Sequence, residues 1–197
     1  MFRKPLRDNV WLALFEERHA EAIFATVDRH RESLRTWLPW VDLTTSPEPS
    51  LAFIRDALAQ FAKNEGFSAG IFVDGELAGG IGTKTIDWTN RKVEIGYWLA
   101  PPYEGRGIMT DAVRALVEHA FEEWQLHRVY LHCATGNAKS CAVAERAGFR
   151  LDGVLRESQL LYGVYHDLNE YGLLVGQAVS PATPRADEPS APLPNEK

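Results

Sequence analysis

The sequence predicts an α/β (α+β) domain, a mixed central sheet with helices packed on it. Three observations carry that expectation. Short strand-like runs alternate with longer stretches of helical period along the chain. The pair Asp74-Gly75 joins two of those runs as a two-residue hairpin. Between Gly107 and Trp124, the residues Ala112, Val113, Leu116, Val117, Ala120, Phe121 and Trp124 recur at three- and four-residue steps, one apolar face of a helix.

Taken in order, Val10 to Phe15 reads as a first strand, followed by a helix from about His19 to Arg35. Ser46-Pro47-Glu48-Pro49 opens a second helix, because proline suits the first turn, and Leu51, Ile54, Leu58 and Phe61 keep helical spacing until Gly66 ends it. The hairpin Ser68 to Val73 and Leu77 to Ile86 comes next, then a strand Lys92 to Leu99 behind the turn Thr89-Asn90-Arg91. After the long helix, Arg128 to Cys133 is a strand and Ala138 to Ala147 a short helix closed by Gly148, and strands resume from Phe149. This order of elements predicts helices packed on a mixed sheet.

At 197 residues one domain is expected, here 1–175, long enough to bury a substantial core. Residues 176–197 hold five prolines and no aromatic residue, and read as a disordered tail. A net charge of -6 argues against nucleic acid as the main partner, since phosphate neutralisation needs a basic surface, and it suits a cationic substrate such as an amine. Two cysteines, Cys133 and Cys141, are too few for a disulfide framework, and the six histidines show no metal-ligand spacing, so no metal is expected. The N-terminus lacks a signal-peptide apolar block and no apolar run nears membrane-spanning length. A cytoplasmic protein with no membrane partner is the expectation.

Chemistry concentrates in two places. In Leu99 to Thr110 a strand ends, Pro101 and Pro102 forbid helix, and Gly105 and Gly107 lead into the long helix. Glycines let backbone N–H groups converge, and the helix start adds unpaired donors at the positive end of its dipole, an anion site suited to a pyrophosphate. The bland alternative is a tight strand-to-helix turn. No Gly-x-x-x-x-Gly-Lys-Ser/Thr run is present, and the third dinucleotide-fold glycine is missing. The second place is Asn137-Ala138-Lys139-Ser140 with Glu145 to Phe149, where Asn137 alone would read as a helix cap and Lys139 and Arg146 as solvated charges.

Together, Pro102-Tyr103-Glu104-Gly105-Arg106-Gly107-Ile108-Met109-Thr110 resembles the acetyl-CoA pyrophosphate loop of the GNAT superfamily of N-acetyltransferases, and Asn137-x-x-Ser140 through Gly148-Phe149 resembles its second CoA motif. Leu34-Arg35-Thr36-Trp37-Leu38-Pro39-Trp40 and Glu94-Ile95-Gly96-Tyr97-Trp98-Leu99 resemble the RimJ/RimL-like branch, known for acetylating N-terminal amines of ribosomal proteins, with relatives acting on small molecules. Pro102 stands where the wider superfamily often has Gln or Arg, and is common in this branch.

The resemblance implies a single domain with helices on both faces and a sheet splayed between its fourth and fifth strands, those holding Glu94 and Cys133. It implies acetyl-CoA as cosubstrate, with backbone groups of Tyr97, Trp98 and Leu99 on the pantetheine and acetyl carbonyl. Gly105, Arg106, Gly107, Ile108, Met109 and Thr110 would hold the pyrophosphate, with Asn137, Lys139, Ser140 and Arg146 completing the cofactor site. Relatives often dimerise, which leaves a homodimer open.

Acyl transfer to an amine needs a base for the nucleophile and an acid for the leaving thiolate. Glu94, the one carboxylate in an apolar strand, is the candidate base, against the alternative of a surface pair with Arg91 or Lys92. Ser140 is the candidate acid, and Tyr162 a second. Trp37 and Trp40 are either core or the wall of an acceptor pocket, where aromatic faces meet cations well. His132 and His166 read as structural, and Cys141 has no identifiable base to make it a nucleophile.

Overall fold

The computed structural model describes residues 3–177, so the tail predicted from 176 lies almost wholly outside the described residues. The elements run β1 Lys4–Arg7, β2 Val10–Leu14, α1 Ala20–Arg29, α2 Arg31–Arg35, α3 Pro47–Ala62, β3 Ser68–Val73, β4 Glu76–Thr83, β5 Lys92–Leu99, α4 Ile108–Glu122, β6 Arg128–Ala134, α5 Ala138–Arg146, β7 Arg150–Leu161 and β8 Val164–Leu174. The strands form one sheet in the order β1-β2-β3-β4-β5-β6-β8-β7. Every neighbouring pair is antiparallel except β5 and β6. Those two are parallel and pair only over Lys92–Glu94 against Arg128–Tyr130. Beyond Glu94 they diverge, which is the expected splay. It falls between the fifth and sixth strands because β1, unforeseen in the sequence, precedes the rest.

The sheet is covered on both faces by separate cores. On one face α4 and α5 bury Ile108, Val113, Leu116 and Val143 against Val93, Ile95 and Leu131. On the other, α1 to α3 bury Ile23, Val27, Leu34 and Ile54 against Phe15, Phe72 and Leu77. Each such side chain contributes about 1.5–3 kcal/mol on burial. The predicted face of α4 is the buried one, except that Trp124 lies just past the helix end.

Three expected boundaries are corrected. The helix from His19 to Arg35 is broken at His30, whose φ of -119° and ψ of 20° leave the helical region. The bend lets the Arg31 guanidinium donate to the carbonyls of Val41 and Thr44, tying α2 to the short 3₁₀ segment Pro39–Leu43. The α3 helix stops at Ala62, and Asn64 takes the left-handed position expected of Gly66. The β4 strand stops at Thr83 rather than Ile86, whose N–H leaves the ladder to donate to Glu65.

His119 on α4 sits between the Phe67 and Trp124 rings, 5.7 and 4.7 Å from their centroids. Burial holds its pKa below the usual 6.5, against an opposing pull from Glu123. Burial lowers His19 as well, and His19 Nδ1 accepts the Glu16 N–H, a bond that protonation breaks. In each case the unfolded chain takes up a proton more readily than the folded one. Their contribution to stability is therefore present above pH 6.5 and lost as pH falls through the folded values. Thermal melts across that window should show Tm falling as pH drops below 6.5, and His119→Gln should flatten the fall without removing it.

Candidate active site

The segment leaving β5 is a 3₁₀ turn, Pro101–Tyr103, followed by extended Glu104 and two left-handed glycines, Gly105 at φ 70° and Gly107 at φ 76°. Gly107 is the N-cap of α4 and no side chain caps that helix. The first α4 amide to close a helical bond belongs to Asp111, which donates to Gly107. The N–H groups of Ile108, Met109 and Thr110 precede it, so helix geometry leaves them without intrahelical acceptors. All three residues line a cleft of about 1190 Å³. A donor row with a positive dipole end and no capping oxygen fits a pyrophosphate. On the opposite wall of the cleft Asn137 caps α5 by accepting the Ser140 N–H at 3.2 Å. Lys139 is ion-paired with Glu104 across the cleft, and Arg146 Nε reaches Thr110 Oγ1 at 3.5 Å.

The splay supplies the next part. Toward β4, the Glu94 carbonyl accepts from Lys84 and the Ala100 N–H donates to Ala78. Successive residues of a strand aim their backbone at opposite edges, so Tyr97 and Leu99 turn theirs toward β6. Pairing with β6 has already ended at Glu94, and those backbone groups face the gap. Inside the gap the Tyr97 hydroxyl lies 3.0 Å from Ser140 Oγ. Burial pushes the Tyr97 pKa well up, against the opposing bond from Ser140, so this phenol stays protonated. Cys133 is buried with Sγ 3.2 Å from that of Cys141, and burial pushes its pKa up to about 12. Cys133 is therefore not arranged as a thiolate nucleophile.

A second cleft, about 720 Å³, opens on the α1–α3 face. Trp37, Trp40 and Trp98 line it together with Phe53 and Gln159. Trp40 meets Trp98 edge-on at 5.9 Å and also packs against the core, so it is core and wall at once. Glu94 lies in this cleft with its side chain 14% exposed. Its partners are Lys84 Nζ at 2.6 Å and His132 Nδ1 at 3.1 Å. Among the described residues the alternative pairing with Arg91 or Lys92 is not found: Glu94 pairs with Lys84 instead, and Arg91 donates to the Gln125 carbonyl.

Most of the predicted residues therefore converge, and two do not. Tyr162, in the β7–β8 turn, donates its hydroxyl to the Arg35 carbonyl at 2.8 Å and lines neither cleft. Arg106 lies over the Tyr103 ring, gives its carbonyl to Arg7, and also lines neither cleft. Sequence reasoning missed Arg7, which braces the glycine loop through Arg106 and an ion pair with Asp111. The turn Asp8-Asn9, with Asn9 at φ 58°, was the available sign of β1. His132 and Glu170, bonded at 2.9 Å, were missed as site groups because they meet only through strand pairing.

A family model described as the acetyltransferase (GNAT) domain matches residues 9–150. The chain belongs to the GNAT acetyltransferase family. It is an N-acetyltransferase, moving the acetyl group of acetyl-CoA to an amine. It is 38% identical over 175 residues to YdaF of Bacillus subtilis (strain 168), provisionally named a ribosomal N-acetyltransferase, covering 88% of this chain and 96% of that one. With the ribosomal-protein-serine acetyltransferase of Escherichia coli (strain K12) it shares 29% identity over 168 residues, 85% of this chain and 94% of the other. Among solved structures, RimL, the ribosomal L7/L12 alpha-N-protein acetyltransferase in complex with coenzyme A, superimposes with a TM-score of 0.84 at 28% identity, covering 88% of this chain and 98% of RimL. The GNAT resemblance and the RimL-like fold read from the sequence are thus both found. Among the described residues no helix of this acetyltransferase is long and apolar enough to cross a membrane.

Proposed function

We propose that this acetyltransferase modifies the N-terminal amine of a protein in the cytoplasm, with acetyl-CoA in the glycine-loop cleft and the amine in the aromatic one. One observation carries the proposal: the two clefts share a wall made of Trp37, Leu38, Tyr97, Trp98, Asn137 and Ser140. A donor in one and an acceptor in the other would meet at the splay. The choice of a protein N-terminus rests on the similarity to RimL and to the ribosomal-protein-serine acetyltransferase.

Acetyl-CoA supplies the activated acyl group. The amides of Ile108, Met109 and Thr110 bind its pyrophosphate, Gly105 and Gly107 keep the approach free of side chains, and Lys139 and Arg146 add positive charge. Backbone N–H groups of Tyr97 and Leu99, fixed in the strand, hold the pantetheine and the carbonyl oxygen where negative charge develops. Glu94 takes the amine proton, and Lys84, exposed and of the same charge as the incoming ammonium, gives way to it. The departing sulfur takes the second amine proton, passed through the Ser140 and Tyr97 hydroxyls, which each give one proton and gain another and end unchanged. Trp37, Trp40 and Trp98 present ring faces to the cation. Tyr162 has no part in this scheme.

The test is acetyl-CoA-dependent thiol release with peptides bearing Ser, Ala or Met N-termini, against polyamines and aminoglycosides. Saturable release with peptides is expected, and Trp37→Ala should raise the peptide KM. Release with small amines alone would make the protein a small-molecule acetyltransferase instead.

A further inference from the structure

Proton stoichiometry poses a problem that the two clefts do not solve. An amine arrives as an ammonium ion and loses two protons as the N–C bond forms and the C–S bond breaks. The thiolate takes back one. One proton per turnover must leave, and Glu94, its side chain 14% exposed, is walled in once a peptide fills the acceptor cleft.

The structure holds an exit. His132 lies between two carboxylates, with Nδ1 3.1 Å from Glu94 Oε1 and Nε2 2.9 Å from Glu170 Oε2. Nε2 is hydrogen-bonded to Glu170 and Nδ1 stands within ion-pair distance of Glu94; an imidazolium carries an N–H at both ends, so a proton received at Nδ1 can leave from Nε2. Such a row accepts a proton at one end and releases it at the other. The far end is the more open one: Glu170 is 29% exposed and is held by Arg128 at 2.9 Å, which also meets Asp152 at 2.7 Å. Strand pairing makes the row. Glu94 is opposite Tyr130 in the parallel β5–β6 pair, His132 follows on the same face of β6, and Glu170 of β8 is directly opposite His132. Among the described residues, Lys84 on Glu94 and Tyr130, whose ring centroid is 5.7 Å away, also stand near the imidazole.

We propose that His132 and Glu170 form a proton relay that carries the amine proton from Glu94 out of the acceptor cleft. His132 acts through Glu94, and Glu170 positions the imidazole and receives the proton. The inference rests on the function proposed above, with Glu94 as the base.

Steady-state kinetics with a peptide amine test it. His132→Gln, which keeps polar contacts but cannot carry a proton, should lower kcat about 10²-fold and leave the KM for acetyl-CoA unchanged. Added imidazoles should restore His132→Ala, the more basic ones faster. Glu170→Gln removes the carboxylate that receives the proton at the open end of the row. It should lower kcat and leave the KM for acetyl-CoA unchanged. Wild-type kcat in His132→Gln would overturn the relay, as would a folded His132→Ala that no imidazole revives. If His132→Gln does not fold, wild-type kcat in Glu170→Gln overturns it alone. Wild-type protein that releases no thiol with any amine would instead overturn the proposed function, and the relay with it.

Discussion

Glu94→Gln is expected to lower kcat at saturating peptide by about 10²–10⁴-fold, the usual contribution of a positioned general base. The substitution is nearly isosteric and keeps a hydrogen-bonding oxygen for Lys84 and His132, so the loss would reflect proton transfer rather than shape. Glu94 lines the aromatic cleft and not the glycine-loop one. The KM for acetyl-CoA should therefore hold steady, and a parallel rise in it would point to general damage. Unchanged turnover at saturating amine would remove Glu94 as the base. Water in the aromatic cleft would then have to serve.

Gly107→Val should act on the other substrate. Gly107 holds φ at 76°, a left-handed conformation that costs an ordinary residue about 1–2 kcal/mol and a β-branched one more. An added Cβ would also stand 3.1 Å from the Arg7 guanidinium that braces the loop. The chain relieves that strain by turning the peptide, which swings the first α4 amides away from the cleft. Hydrogen bonds to a charged group contribute about 1.5–3 kcal/mol each, so losing one or two should weaken acetyl-CoA binding about 10²-fold. Isothermal titration with CoA reads this directly. Gly153→Ala, at a glycine with open space around it and no left-handed φ, should leave binding unchanged.

The legible parts of this protein are those written in local chemistry. The α4 face, the Asp74-Gly75 hairpin and the proline-glycine passage into α4 each depend on residues within one or two turns of one another. Periodicity and backbone sterics reveal them without a partner. The same holds for Asn137, whose cap on Ser140 is a three-residue contact. Glu94 stood out in sequence because a carboxylate in an apolar strand needs a reason.

Other features arise from contacts between distant segments, which no local pattern encodes. Arg7 braces a loop 99 residues away, and Tyr162 spends its hydroxyl on Arg35, 127 residues back. The bend at His30 places Arg31 against the carbonyls of Val41 and Thr44, about ten residues on. His132 looked structural because its two carboxylates are on other strands, and only the registers of β5, β6 and β8 put them in line. By itself the sequence determined the family, and it singled out the glycine loop before α4 and Glu94 as candidates, since each is a short-range pattern of backbone and residue type. Tertiary structure decided which side chains surround Glu94, because strand register, a property of the whole sheet, sets those neighbours.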